Sequence, residues 1–242
     1  MAIWGKILGG AAGFAMGGPL GALLGAAAGH IIDRQSGPDD SEPGTVKQAA
    51  FALATIVLSA KMAKADGQVT RDEVNAFKEI FHIPPDEAKH VGRVFDQARK
   101  DSDGFEKYAR QIAGMFEGQP AVLEELLGGL FHIARADGMA HPAEINYLKN
   151  VAEIFGFDET TFNRLKAAHL GEGMDDPYAV LGLTADAGND EIRATWRKLV
   201  RDHHPDTLIA QGMPEDFIEV ATDELAAIND AYDRICKHRG IK

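Results

Sequence analysis

Hydrophobic positions in the last third of the chain repeat with the period of an α-helix. Those that recur at intervals of three or four residues are Ile192, Trp196, Leu199 and His203. This spacing predicts one helix with a single inward face. Asn189 or Asp190 is suited to cap its start, and Pro205 disfavours helical geometry at the residue before it. Residues 204–206 are therefore predicted to form a loop.

A second apolar repeat extends from about residue 214 to residue 237. Its members are Phe217, Val220 or Ala221, Leu225, Ile228, Tyr232 and Ile235. Because a polar stretch separates this repeat from the first, the two helices are predicted to form an antiparallel hairpin.

Helical periodicity also recurs from residue 45 to residue 170, where about seven helices are expected because alternating β-branched runs are scarce. Residues 33–44 are rich in Asp, Gly, Pro and Ser, a composition typical of a linker. The predicted fold class is therefore all-α. Its folded parts are a helical domain at residues 45–170, a short linker at 171–176 and the hairpin domain at 177–242.

The N-terminus contains 26 consecutive residues, 7–32, without Asp, Glu, Lys or Arg. At 1.5 Å per residue this stretch is long enough to cross a hydrocarbon core of about 30 Å, so residues 1–32 are predicted to be a membrane segment. Pro19 near its middle leaves a kinked helix, a two-part hairpin and an interfacial element as alternatives. A cleaved secretory signal with Lys6 as its basic end is the competing interpretation.

Glycine occupies every fourth position of this segment, from residue 5 to residue 29. Such spacing forms a groove without side chains, in which a second helix backbone can approach closely. We therefore expect a homodimer formed through this segment. The glycines expected at the contact are Gly9, Gly13, Gly17, Gly21 and Gly25.

Charge and cysteine content exclude several classes of function. The net charge of −12 argues against nucleic acid as the main partner. Cys236 is the only cysteine, which excludes an internal disulfide and a zinc site made of thiolates. Residues 193–201 are a local exception to the acidic balance, since they contain four basic residues and no acidic one. These four are Arg193, Arg197, Lys198 and Arg201.

An internal repeat with an offset of 71 residues lies in the central domain, where residues 64–69 recur as residues 135–140. Each copy contains an Asp-Gly pair and is followed by a glutamate that suits the first turn of a helix. We therefore expect these acidic residues to cap helices. If a cation binds there, its oxygen ligands would be Asp66, Glu73, Asp137 and Glu144. The repeat resembles the TerB-type helical domain of tellurite-resistance proteins, a resemblance that keeps metal binding as the alternative.

The C-terminal domain resembles the J-domain in four stretches that occur in order. They are residues 176–183, residues 192–201, the tripeptide His204-Pro205-Asp206 and residues 227–232. The resemblance implies docking on a DnaK-type heat-shock chaperone, with the tripeptide triggering ATP hydrolysis in that partner. The four basic residues of the first helix would dock on an acidic surface of the partner. On this interpretation the chain is an activator, not an enzyme, and requires no cofactor.

Three features depart from the usual J-domain pattern. Thr207 stands where a basic residue often follows the tripeptide, Trp196 replaces a tyrosine, and a fourth helix is missing. Thr207 is expected to weaken docking, whereas Trp196 is expected to preserve the packing volume.

The whole arrangement, from the glycine-rich segment through the TerB-like centre to the J-domain, resembles the DjlA family of membrane-anchored co-chaperones. Membership implies a single-pass anchor in the inner (cytoplasmic) membrane with both C-terminal domains in the cytoplasm. The flanking charges favour this orientation only slightly. The alternative function is a TerB-like metal-responsive or stress-signalling module that uses its J-domain only for recruitment.

Overall fold

The computed structural model describes residues 18–22, 43–65, 71–81, 83, 88–100, 104–136, 138, 140–170 and 176–241, and no strand occurs in these ranges. The central domain contains α1 (Pro43–Ala65), α2 (Arg71–Phe81), α3 (Ala88–Ala98), α4 (Phe105–Met115), α5 (Pro120–Ala134), α6 (Pro142–Phe155) and α7 (Glu159–Leu170). The C-terminal domain contains α8 (Pro177–Val180), α9 (Asn189–Asp202), α10 (Pro205–Ala210), a 3-10 turn (Glu215–Phe217) and α11 (Ile218–Arg239). The predicted all-α class is confirmed.

Five of these helices begin with proline, at residues 43, 120, 142, 177 and 205. Proline suits the first position of a helix because its missing N–H would have no partner there in any case. Three of these starts, at residues 142, 177 and 205, are completed by a side chain that accepts a hydrogen bond from a backbone N–H. Asp176 accepts from the N–H of Tyr178 at 2.9 Å, and His204 accepts from that of Asp206 at 3.2 Å.

The helix around which the central domain packs is α1. It contacts α3, α4, α5 and α6, and every residue from 49 to 63 is buried. The hydroxyls of Thr55 and Ser59 donate to carbonyls one turn earlier, so these buried polar groups are satisfied within the helix. Within the described ranges, Val46–Lys64 is the one segment long and apolar enough to cross a bilayer, and 83% of it is buried inside the protein. It is therefore the core helix of the bundle.

The predicted membrane segment lies outside the described residues, except for residues 18–22, which form a helical turn. Leu20 in this turn is buried in the central core, and its N–H donates to the side-chain oxygen of Gln111 at 2.9 Å. If the segment inserted into a bilayer, Leu20 would contact lipid instead of the central core. Gly21 belongs to the same turn. Four predicted contact glycines lie outside the described residues, namely Gly9, Gly13, Gly17 and Gly25.

A second core lies between α8, α9 and α11. Its buried side chains include Tyr178, Leu181, Ile192, Leu199, Ile228 and Ile235. At its edge the Trp196 ring stacks on Tyr232 with 4.2 Å between ring centroids, and the indole N–H donates to the side-chain oxygen of Asn229 at 2.9 Å. Trp196 therefore fills its site and adds a hydrogen bond between α9 and α11.

Two local predictions for this domain are wrong. The cap of α9 is Gly188 rather than Asn189 or Asp190, because Glu191 reaches back and accepts from the Gly188 N–H at 3.3 Å. Residues 205–210 form α10 and do not continue a loop after His204, since Pro205 is accepted at the first position of a helix.

The beginning of α11 packs into the central core and not into the hairpin. Three residues predicted for the inner face of the hairpin belong to the core built on α1, namely Phe217, Val220 and Ala221. The ring of Phe217 meets Phe51 edge to face, with 4.8 Å between centroids. Leu208 and Met213, in the segment between α9 and α11, are buried in the same core. The central core therefore contains side chains from both domains, and we call it the shared core.

Gly129 on α5 provides a test of this shared core, because a Cβ atom there would lie 2.7 Å from the ring of Phe217. We expect Gly129→Ala to destabilise the full chain in detergent by about 1–3 kcal/mol through overpacking, measured as a fall of several degrees in its thermal unfolding midpoint. Gly92→Ala is the matched control, since a Cβ there meets nothing within 4 Å and alanine favours a helix by up to about 1 kcal/mol. Equal midpoints for the two variants would contradict the shared core.

Candidate functional site

The His204-Pro205-Asp206 tripeptide lies at the junction of two helices. His203 caps the C-terminal end of α9, and His204 caps the N-terminal end of α10. The Nδ1 atom of His204 accepts from the Asp206 N–H, which holds the ring in place. An Nδ1 atom in this role leaves Nε2 as the ring atom that can donate a hydrogen bond to a partner.

The polar side chains of the tripeptide face outward. Those of His204 and Asp206 are 51% and 91% exposed, and the Asp206 carboxylate lies 3.9 Å from His204 Nδ1. Pro205 limits the conformations of the backbone between them. The turn therefore presents a ring N–H donor and a carboxylate acceptor in a fixed arrangement, which suits polar recognition of another protein.

The predicted basic residues lie on α9, where Arg197, Lys198 and Arg201 are exposed and Arg193 is half-buried. Asp202, which the sequence interpretation did not include, lies among them. One of its oxygens is 3.1 Å from Lys198 Nζ, and the other is 3.1 Å from Arg201 Nε. Burial raises the pKa of the Asp202 carboxyl, but these two cations outweigh burial and hold it below its usual value.

Of the four basic residues, Arg197 is the one that makes no ion pair with any described residue. Arg193 lies 3.7 Å from Asp190, whereas Lys198 and Arg201 share Asp202. Arg197 is therefore the cation of this face whose charge is least compensated within the protein.

His203, predicted to belong to the inner face of the hairpin, is buried against the central domain instead. Its side chain is 2% exposed, with Nδ1 at 2.9 Å from Glu125 Oε1 and Nε2 at 3.0 Å from Glu124 Oε2. Both glutamates come from α5. A third carboxylate comes from the hairpin itself, since Glu224 of α11 lies 3.7 Å from His203 Nδ1.

Further charged groups complete this arrangement. Arg164 of α7 donates to Glu224 of α11 at 2.9 Å and also pairs with Glu124. His169 Nε2 lies 3.2 Å from the second oxygen of Glu224. We call the six residues the interdomain charge cluster: Glu124, Glu125, Arg164, His169, His203 and Glu224. Sequence reasoning missed it, although two adjacent glutamates within the apolar run of α5 were a signal.

Electrostatics distinguish the members of the cluster. Burial lowers the pKa of His203, but the surrounding carboxylates outweigh burial and raise it to about 10. Burial, with the Glu224 charge as a second cause, raises the pKa of Glu125 to about 7. Burial also raises the pKa of Glu224, but His203 and other neighbouring cations outweigh this and bring it far below its usual value. At neutral pH the cluster therefore holds cationic His203 and Arg164 against carboxylates.

The spacing of Glu124, His203 and Glu224, whose ligand-type atoms lie within 4.8 Å of one another, would suit a metal ion. The Arg164 guanidinium is bonded to both of these carboxylates, and each ring nitrogen of His203 faces a carboxylate. These positive charges already occupy the electron pairs that a metal would need. The arrangement is therefore an ion-pair cluster.

The acidic residues of the internal repeat are only partly described. Asp66 and Asp137 lie outside the described residues, as does the side chain of Glu73. Glu144 is buried at the start of α6, where one of its oxygens accepts from the His141 N–H at 2.8 Å and His141 Nδ1 accepts from the Ala143 N–H at 3.2 Å. Glu144 therefore belongs to a capping box.

Three protein-family models match the chain in succession. The model of the co-chaperone DjlA transmembrane domain matches residues 1–49, that of tellurite resistance protein TerB matches residues 52–167, and that of the DnaJ domain matches residues 176–239. The predicted order of membrane segment, TerB-like centre and C-terminal J-domain is confirmed.

Curated relatives extend this similarity over the full length. The protein named co-chaperone protein DjlA from Aliivibrio fischeri is 31% identical over all of both chains. The protein of the same name from Photobacterium profundum is 29% identical over 99% of this chain and 100% of its own. That from Coxiella burnetii is 26% identical over 98% of each. No solved structure gives a significant match.

The relatives are named co-chaperones, and the J-domain match includes the exposed tripeptide and the basic face of α9. The transmembrane match covers the uncharged N-terminal stretch that was predicted to be a membrane segment. Because full-length identity reaches 31% and all three parts occur in the same order, the chain belongs to the DjlA family of membrane-anchored J-domain co-chaperones.

Proposed function

We propose that this chain stimulates ATP hydrolysis by a DnaK-type heat-shock chaperone through His204, Pro205 and Asp206, with α9 as the docking helix. The observation that carries the proposal is the exposed His204 ring, which is fixed by its bond to the Asp206 N–H beside an exposed basic face. The chemistry takes place on the nucleotide held by the partner. This chain acts as a ligand that shifts the partner's conformational populations.

The two parts of the site have different physical roles. Exposed cations on α9 raise the rate of encounter with an acidic surface and orient the two proteins, but contribute modestly to affinity because solvent screens them. His204 Nε2 and the Asp206 carboxylate supply directional hydrogen bonds after docking. Loss of the basic face should therefore weaken binding, and loss of His204 should remove the response to binding.

We also propose that the anchor crosses the inner membrane once, with both folded domains in the cytoplasm. A chaperone driven by ATP needs the nucleotide pool of the cytoplasm, which supports this orientation. The basic residues on either side of the uncharged stretch, Lys6 before it and Arg34 and Lys47 after it, favour it slightly.

We propose in addition that two chains associate through the glycine groove of the membrane segment. Glycines at every fourth position lie on one face of a helix and permit close contact between helix backbones. A dimer would present two J-domains at one place on the membrane.

The role of His204 can be tested with His204→Gln. Gln lacks the rigid ring whose Nδ1 accepts from the Asp206 N–H, so its amide donor is not held in place. We therefore expect this variant to fold normally and to lose stimulation of the ATPase of a DnaK-type chaperone in a steady-state assay. His238→Gln is the control, since His238 is an exposed histidine at the end of α11, outside the site. Normal stimulation by His204→Gln would exclude the proposed trigger.

The docking role of Arg197 predicts a dependence on salt. Arg197→Glu should reduce affinity for the chaperone most at low ionic strength, because the Debye length falls from about 10 Å at 0.1 M salt to about 3 Å at 1 M. Binding is measured by surface plasmon resonance at several salt concentrations, with Lys237→Glu as a control that changes the charge equally on α11. A loss of affinity that stays constant with salt, or that is equal for the control, would contradict electrostatic docking.

The glycine groove predicts that replacing Gly13, Gly17 and Gly21 with Leu reduces crosslinking between full-length chains in membranes, because the larger side chains keep the helix backbones apart. The control is a variant in which Ala11, Ala15 and Ala22, which lie outside the glycine row, are replaced with Leu. The amount of crosslinked dimer is compared between the two variants. Unchanged crosslinking in the glycine variant would remove the proposed contact.

A further inference from the structure

We propose that the central domain positions the chaperone-triggering tripeptide by holding His203, so that Glu124 and Glu125 are positioning residues for the activity of the J-domain. This inference rests on the proposed stimulation of a DnaK-type chaperone. It assigns the TerB-like domain a part in that activity beyond linking the J-domain to the membrane.

The tripeptide is directly connected to the cluster, because His203 and His204 are adjacent and their Cα atoms lie about 3.8 Å apart. The His203 ring is held on both sides, by Glu125 at Nδ1 and by Glu124 at Nε2. With both ring nitrogens bonded, the ring cannot rotate without breaking a charge-assisted hydrogen bond. The central domain therefore fixes the backbone from which His204 projects.

The far end of the same segment is also attached to the central domain. Leu208, on the buried side of α10, and Phe217, at the end of the 3-10 turn, lie in the core built on α1. The exposed tripeptide thus lies between two attachments to one domain. An isolated hairpin of α9 and α11 would have neither attachment, so its tripeptide would have more freedom.

The cluster is buried and crosses the domain boundary, which makes it sensitive to the loss of one member. Glu124, Glu125 and Arg164 come from the central domain, and His203 and Glu224 come from the J-domain. Removing one partner of a buried ion pair leaves the other charge without compensation and strongly weakens the contact. Glu125 Oε2 already has no hydrogen-bond partner within the described residues.

The position of Glu125 makes the contact depend on pH. Glu125 faces His203 from the J-domain, Glu224 from α11, His169 and Arg164 from α7, and neighbours Glu124 on its own helix. Because the pKa of Glu125 is raised, the contact between His203 and α5 is most stable at acidic pH. This stabilisation is lost as pH rises through about 7. The raised pKa of His203 acts in the same direction, and its contribution falls progressively as pH rises from the ordinary value of 6.5 to about 10. Between pH 6 and pH 8, ionisation of Glu125 should weaken the contact by about tenfold.

The first experiment measures the concentration for half-saturation and the maximal stimulation separately, using full-length chain in detergent and a DnaK-type chaperone. His203→Gln should keep half-saturation near the wild-type value, because α9 still docks, and should lower maximal stimulation by about tenfold, because His204 is misplaced. Tyr147→Phe is the control, since it removes a buried hydrogen bond to Leu58, far along the chain from the J-domain. Unchanged maximal stimulation by folded His203→Gln would overturn the inference.

The second experiment uses Glu125→Gln, which keeps the shape of the side chain but does not ionise. Hydrogen exchange of residues 203–217 is compared at pH 6 and pH 8 after correction for intrinsic rates. Protection should fall by about tenfold more in wild type than in Glu125→Gln between the two pH values, because His203 titrates in both proteins and Glu125 only in wild type. The ratio of variant to wild-type maximal stimulation, in which the partner's own pH dependence cancels, should rise over the same range.

Glu125→Gln tests the positioning role of the central domain even if His203→Gln fails to fold. Equal loss of protection in wild type and Glu125→Gln, or altered protection with an unchanged ratio of stimulation, would overturn the positioning role. If wild-type chain gives no stimulation at all, the proposed function fails instead. Stimulation by wild type with no effect of either variant would remove only the inference about the central domain.

Discussion

The arrangement of the folded domains depends on a protonated histidine held between two carboxylates of another domain. His203 ends α9, yet its two ring nitrogens lie within hydrogen-bond distance of Glu124 and Glu125 of α5. A buried imidazolium is tolerated only where both ring nitrogens have partners, so this contact specifies one position of α9 against the central domain. The position of the exposed tripeptide follows, because the tripeptide begins one residue later.

Hydrophobic packing also fixes the position of the J-domain against the central domain, at the beginning of α11. Phe217 lies against the backbone of α5 at Gly129, where a side chain would leave no room for the ring, and meets Phe51 of α1. The beginning of α11 is thus part of the central core, while its later turns pack in the hairpin. Since one helix belongs to both cores, movement between the domains would require α11 to leave one of them.

The residues of the candidate chaperone-binding site differ from these buried contacts in their exposure to solvent. His204, Asp206 and Arg197, which we propose contact a chaperone, are exposed, whereas His203, Leu208 and Phe217 nearby are buried. On the functions proposed above, the exposed residues would contact the chaperone while the buried ones would fix the geometry.

Periodicity, glycine spacing and the ordered motifs by themselves determined the all-α class, the J-domain and the exposed tripeptide, because these depend on neighbours along the chain. The sequence also showed that His203 and Phe217 would be buried, since both fall on an apolar helix face. Only the tertiary structure decided which core receives them. The partners, Glu124 and Glu125 for His203 and Gly129 for Phe217, lie some 80 residues away in sequence, and helical period carries no information about contacts at that separation.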